Sequence, residues 1–283
     1  MKTSDSEVSA QANARKARVK ADRPAAANTP ENNARRKFIA AAGAGVAGLG
    51  FTAIAPGLHL MAVASDANAA NAAAGARQAG SAASPAVRWG LLIDAGKCAP
   101  GCTKCIDACH AENGVSEKLP DPRQNSQWIR KIELVDRRDG RKTELPMMCQ
   151  HCANPPCVDV CPTGASMKRA DGIVLVDRHT CIGCRYCMMA GPSTARSLVH
   201  MPLSEQTPEV PRGQGCVESC TLCVHRVDKG QTPACVESCP EGAMLFGDLN
   251  DPSSAIAKRI ASVPTTQVRA DLRLNQGVRY QGL

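Results

Sequence analysis

Two short apolar bursts set between polar stretches predict strands. Trp89-Gly-Leu-Leu-Ile-Asp94 reads as a short buried strand, and Gly172-Ile-Val-Leu-Val-Asp177 is strand-like in the same way. Each leads into a cysteine-rich segment. Phe38 to Ala64 is apolar in a different manner: it carries no charge, but Ala and Gly dominate it and Pro56 and His59 interrupt it. It is long enough to span a bilayer yet weakly apolar for a permanent anchor, and Pro56-Gly57 disfavours a continuous helix. Residues 65–86 are rich in Ala, Asn, Gly and Ser, and 70–86 read as a flexible tether.

Ahead of that stretch, residues 1–37 are polar and basic and end in Ala34-Arg35-Arg36-Lys37-Phe38-Ile39. Paired arginines, a bulky apolar residue and a mild apolar segment resemble a twin-arginine signal, which exports proteins already folded. The signal is expected to occupy 1–69, with cleavage after Ala67-Asn68-Ala69 or, alternatively, Ala62-Val63-Ala64. The competing reading is a retained amino-terminal anchor. The expected destination is the periplasm, reached by a route that carries its cargo across already folded.

Composition changes the picture of the core. Aromatic residues make up only 2% of the 283, too few for an ordinary interior, and 16 cysteines are the evident substitute. The net charge of +8 invites a nucleic-acid reading, but nine of the 34 Lys/Arg and five of the 26 Asp/Glu fall in 1–69, leaving a net of +4 beyond it. Mixed signs and few aromatics for base stacking argue against nucleic acid as a partner.

The cysteines fall into four groups. The first is Cys98-x3-Cys102-x2-Cys105-x3-Cys109, and the second is Cys149-x2-Cys152-x4-Cys157-x3-Cys161, followed by Pro162-Thr-Gly164-Ala165. The third is Cys181-x2-Cys184-x2-Cys187, and the fourth is Cys220-x2-Cys223-x11-Cys235-x3-Cys239, followed by Pro240-Glu-Gly242-Ala243. They match the ferredoxin pattern Cys-x2-Cys-x2-Cys-x3-Cys-Pro, with insertions in three of the four. Three cysteines on a tight loop wrap three corners of one cube, and the fourth starts a helical turn that points to a neighbouring cube. The proline after it suits the first turn of a helix, where no amide proton is needed. Disulfides fit this pattern poorly, because short repeated spacings gather thiols at one point and do not close long loops. A zinc ribbon accounts for the Cys-x2-Cys pairs but not for the later cysteine or for the repeated Cys-Pro-x-Gly-Ala.

One position breaks the pattern: the third group reads Cys187-Met-Met-Ala-Gly191-Pro192, so the proline is present and the ligand is not. Cys216, outside the motifs, is either a replacement ligand or a spare thiol. His110, His151, His179, His200 and His225 lie near or between the groups and read as surface residues or as supports of the ligands.

Taken together, Met148-Cys-Gln-His-Cys152, Pro155-Pro-Cys-Val-Asp-Val-Cys-Pro-Thr-Gly-Ala-Ser166, Ala170 through Met189, and Glu218-Ser-Cys-Thr-Leu-Cys-Val-His-Arg-Val-Asp228 resemble the four-cluster ferredoxin-like subunits of membrane-bound respiratory oxidoreductases, molybdopterin enzymes included. Within that group the chain is similar to the DsrO-type periplasmic subunit of the sulfite-reduction-associated Dsr complex. The resemblance implies an α+β fold of tandem bacterial-ferredoxin-like halves, with short strands, short helices and long loops. The domain would span 87–250, one half formed by 87–145 with 200–250 and the other by 146–199, and 251–283 would be a carboxy-terminal extension.

The same resemblance implies exchanged ligands. Cys98, Cys102 and Cys105 would share a [4Fe-4S] cluster with Cys239, and Cys220, Cys223 and Cys235 would share one with Cys109. Cys181, Cys184 and Cys187 would share one with Cys161. The remaining site, Cys149, Cys152 and Cys157, would face Gly191, with Cys216 as a candidate fourth ligand. Three clusters would thus be fully cysteine-ligated. The fourth site would hold an altered cluster such as [3Fe-4S], keep a cube through Cys216 or a solvent oxygen, or be empty. The implied role is electron transfer without substrate chemistry, between an integral membrane quinone-interacting subunit and a periplasmic multihaem cytochrome. The protein would attach peripherally to the inner membrane through these partners. A redox enzyme working at the incompletely ligated cluster is the alternative, although no nucleotide fingerprint, nucleophile elbow or catalytic zinc motif is present.

Overall fold

The computed structural model describes residues 76–283 apart from 79, 117 and 205, so the paired arginines and both cleavage positions lie outside the described residues. The first element is β1 (Trp89–Asp94), at the bounds its apolar burst predicts. Asp94 ends it by accepting a hydrogen bond from Gly96 N, which starts a 3-10 turn and throws the chain into the first cysteine loop. That loop winds into α1 (Lys104–Glu112). A hairpin follows, β2 (Ile129–Val135) against β3 (Lys142–Met148), paired antiparallel from Ile129 with Met148 to Val135 with Lys142.

The second cysteine group turns through the short α2 (Pro156–Asp159), which has a proline in its first turn. Next come β4 (Ser166–Lys168) and β5 (Val174–Val176), an antiparallel pair. The expected strand over 172–177 is shorter than predicted because Gly172 sits in a turn at φ 87° and Asp171 accepts from the Ile173 amide, leaving three residues for pairing. Then follow α3 (Tyr186–Ala190), β6 (Ser197–Leu198), β7 (Val217–Glu218), α4 (Val224–Val227) and α5 (Ala234–Glu237). The chain closes with β8 (Met244–Asp248), α6 (Ala255–Ser262) and β9 (Val278–Gln281). Ser254 caps α6 by accepting from Ala257 N at 3.1 Å, and Val263-Pro264 stops it.

The largest sheet has the order β8-β1-β9: β1 is antiparallel to β8 and parallel to β9. Trp89 stacks on Phe246 across it at 5.0 Å between ring centroids. Small sheets and a few short helices around cysteine loops make this a ferredoxin-like α+β fold. The core is built as the composition requires, since Cys105, Cys109, Cys149, Cys220 and Cys235 are buried among Leu91, Ile93, Leu145, Met148, Ile173 and Tyr280.

Residues 251–283 pack onto the cysteine-bearing part: β9 completes the main sheet, and Ile256 and Tyr280 are both 0% exposed. Tyr280 donates to the Pro146 carbonyl at 3.1 Å and accepts from Gln150 Nε2 at 3.3 Å, which ties the last strand to the second cysteine group. The end of the expected tether is also fastened, through an Arg77–Asp228 ion pair at 2.7 Å and a hydrogen bond from Asn250 to the Ala86 carbonyl. Among the described residues no helix is long and apolar enough to cross a membrane.

Candidate metal centres

All sixteen cysteines carry free thiols, and cavity linings gather twelve of them into three sets of four. Cys98, Cys102 and Cys105 line one cavity with Cys239, which arrives from the end of α5. The loop carrying the first three is held by the β2–β3 hairpin: Lys131 Nζ donates to the Ala99 carbonyl at 2.8 Å, and Glu144 accepts from Gly101 N at 2.8 Å. Lys131 and Glu144 are themselves paired at 2.7 Å. Cys109, Cys220, Cys223 and Cys235 line a second cavity, walled by Leu91, Trp128, Ile129 and Met148, and all four are buried. Leu222 and Cys223 take positive φ angles of 55° and 48° there, the tight turn that wraps a loop about a centre. Asn113, 1% exposed, donates to the Cys109 carbonyl at 2.8 Å.

A third cavity is lined by Cys149, Cys152, Cys157 and Cys187 and by Gly191, with Met188, Pro192 and Arg196 around it. Gly191 caps α3 at φ −76°, an ordinary angle for any residue, so nothing in the backbone calls for glycine. α2 packs on α3, which brings Cys187 to the Gly191 cavity beside Cys157, and Cys161, Cys181 and Cys184 line none of these three cavities. Cys184 is exposed.

Cys216, the sequence's candidate for the empty corner at Gly191, lies elsewhere. Its thiol donates to the Arg178 carbonyl at 3.2 Å, next to Cys181. The reason is local: the Gly213–Cys216 segment lies so close over Gly183 that any side chain there would meet the Gly215 carbonyl.

Electrostatics shows how these sets adjoin. Burial pushes the Cys105 thiol up to about 11, helped by Cys98, Cys239 and Cys102. Burial raises Cys109 well above its usual value, with Cys220, Cys235 and Cys223 adding to it. Cys152 is pushed up to about 12 by burial and by Cys149 and Cys157. Contacts between sets appear in the same way: burial dominates at Cys235 and Cys220, and Cys105 and Cys149 respectively add to it from the neighbouring set. Crowded buried thiols resist ionisation, and iron, which binds the thiolate, offsets that cost.

The donors fit iron-sulfur clusters. Backbone N–H groups already point at the sulfurs: Ser166 N to Cys161 at 3.3 Å, Ala243 N to Cys239 at 3.3 Å, Leu222 N to Cys220 at 3.4 Å and Val217 N to Cys181 at 3.4 Å. Such bonds stabilise sulfur charge and tune cluster potential. Cavities between four thiols suit a polynuclear group, and among the described residues no three His, Cys, Asp or Glu side chains are gathered as a single ion needs.

Sequence reasoning missed Arg196. It is 8% exposed, and its Nη2 donates to Cys157 Sγ at 3.2 Å and to Ser166 Oγ at 2.8 Å. Its position five residues after Gly191 gave no motif signal. Among the histidines, His151 is buried and neutral, its ring pushed down to about 3 by burial and by Arg196, and its Nδ1 accepts from Val174 N at 3.0 Å. His225 meets Glu112 at 2.7 Å.

A family model described as a 4Fe-4S dicluster domain matches residues 142–249. The chain is 41% identical over 226 residues to the Hdr-like menaquinol oxidoreductase iron-sulfur subunit 1 of Archaeoglobus fulgidus, covering 69% of this chain and 84% of that protein. It is 37% identical over 188 residues to the protein NrfC of Escherichia coli, covering 66% and 77%. It is also 31% identical over 232 residues to the arsenate respiratory reductase iron-sulfur subunit ArrB of a Shewanella species, covering 69% and 96%.

Proposed function

The chain belongs to the iron-sulfur subunits of respiratory oxidoreductases, and from that premise we propose that it is a periplasmic subunit relaying single electrons between a quinone-interacting membrane subunit and a soluble redox partner. Each bound cluster supplies one reversible electron exchange. The observation that carries the reading is the order of three thiol sets. Cys105 neighbours Cys235 and Cys220 neighbours Cys149, which supports a single file from the Cys98 set through the Cys220 set to the Cys149 set, and the residue resemblance adds the Cys181 set beyond it. The second set in this file is fully buried, whereas the file ends at half-exposed Cys98 and Cys102 and at exposed Cys184. A file sheltered inside and exposed at its ends is what a relay needs.

The residues work to hold this file. The hairpin fixes the first loop, N–H donors offset sulfur charge, and apolar walls exclude water. Ile182, Tyr186 and Met189 flank Cys184 and are 68%, 58% and 82% exposed, which suits that end to docking an apolar partner surface. The tandem-half arrangement, twin-arginine export, a Dsr-type complex in sulfur metabolism and a multihaem cytochrome partner belong to the same proposal; their support is the residue resemblance given above. The test is to purify the protein from membranes with its associated subunits and add a reduced quinone analogue. Cluster signals are expected to appear without any other substrate. Clusters that stay oxidised while dithionite reduces them would remove the quinone-linked role, and substrate turnover by the isolated chain would favour an enzyme.

A further inference from the structure

Four thiols, those of Cys149, Cys152, Cys157 and Cys187, and a glycine meet a buried cation in the third cavity. Arg196 Nη2 is engaged by Cys157 and Ser166, but Nη1 is buried without a hydrogen-bond partner. A buried guanidinium N–H left unpaired is costly, and this one belongs to a residue that lines the cavity beside Gly191. The cavity reaches the surface at half-exposed Cys152, Gly191 and Pro192. Cys216, the other candidate for this corner, is held beside Cys181.

We propose that Gly191 and Arg196 form a binding site for a small anion of the hydroxide, cyanide or azide class. The anion would complete the iron coordination left open by the missing cysteine and accept the Arg196 Nη1 hydrogen bond. The proposal rests on the reading that Cys149, Cys152 and Cys157 hold a cluster while Cys187 serves a different one. Arg196 supplies charge as well as a donor: with one thiolate fewer, the site carries less negative charge, and the guanidinium favours an incoming anion over neutral water. Nothing is oxidised or reduced on binding, since the anion replaces a water molecule on one iron and that water leaves.

The test uses the whole protein, purified without oxygen, with cyanide as the probe. Iron content and the unperturbed paramagnetic spectrum report first whether Cys149, Cys152 and Cys157 hold a cluster. Cyanide titration then reports on the corner. In the parent, a saturable change is expected in the spectrum of one cluster. Arg196→Gln is expected to weaken cyanide binding about ten- to hundredfold, the range for a hydrogen bond to a charged group, with iron content unchanged. Arg196→Lys should bind between the two. Gly191→Cys should abolish the response; its added Cβ would stand 3.2 Å from the Cys187 carbonyl, which has to give by a few tenths of an ångström.

A parent with full iron and no cyanide response would overturn the anion site while leaving the cluster reading intact, and so would an oxidised three-iron signal, which means that no iron stands at that corner. Loss of one cluster's worth of iron from the parent would remove the underlying reading itself. Equal affinity in Arg196→Gln and the parent would remove Arg196 from the site. A response that survives in Gly191→Cys but vanishes in Cys187→Ser would place the open corner elsewhere.

Discussion

Tyr280→Phe isolates one hydroxyl on which the last strand depends. The ring is 0% exposed, and its hydroxyl bridges the Pro146 carbonyl at 3.1 Å and Gln150 Nε2 at 3.3 Å. Phenylalanine keeps the ring packing and removes only the bridge. Gln150 retains its bond to the Met148 carbonyl at 2.8 Å, so the loss falls mainly on Pro146. One lost bond with a partner left unsatisfied costs about 1–2 kcal/mol. For a domain of this size that lowers the thermal midpoint by roughly 2–8 °C. Tyr280→Ala adds a cavity, costs about 3–5 kcal/mol and should lower it by roughly 6–20 °C. The assay is anaerobic thermal unfolding followed by circular dichroism, with released iron measured alongside. Gln150 lies between Cys149 and Cys152, so the alanine variant should release iron from that site first. If Tyr280→Phe matched the parent to within about 1 °C while Tyr280→Ala fell, the hydroxyl bridge would carry no stability and the reasoning would fail; if neither fell, β9 would not belong to the core.

Three further outcomes are expected. Cys239→Ala should damage the cluster of Cys98, Cys102 and Cys105, because these four thiols line one cavity; spectroscopic loss confined to the Cys220 cluster would refute that pairing. Arg212→Met should cost about 3–5 kcal/mol, because it leaves Glu218 buried without its bidentate partner at 2.7 and 2.8 Å, and adding Glu218→Leu should recover most of the loss in thermal unfolding; a double variant as unstable as the single one would contradict this. A reporter fused to residues 1–75 should be exported by the twin-arginine route and retained when Arg35 and Arg36 become lysine, with cell fractionation as the readout; normal export of the double variant would reject the signal.

The parts of the molecule legible in sequence were those written in short-range pattern. Trp89–Asp94 combines apolar side chains with a capping Asp94, so both its strand and its end could be read locally. The cysteine spacings likewise announced their loops. The β2–β3 hairpin was missed although Ile129, Ile132 and Leu134 mark it, because its stability comes from pairing with Leu145 and Met148 and from gripping the first cysteine loop at Ala99 and Gly101. The last strand was missed for a related reason: Val278–Gln281 is placed in its sheet by pairing with β1, far away in sequence. Arg196 was invisible because its role depends on where Ser166 and Cys157 are brought, and the place of Cys216 depends on how closely its loop lies over Gly183.

The parallel pairing of Leu91 with Val278 governs the timing of synthesis. A ribosome delivers the opening strand long before its partner at Val278, and the Cys98 thiol waits in the same way for Cys239. Until Cys239 emerges, the nascent chain presents the first three thiols without the fourth wall of their pocket. Iron delivered before then has no closed first pocket to settle in, so loading of the first site is tied to the arrival of Cys239.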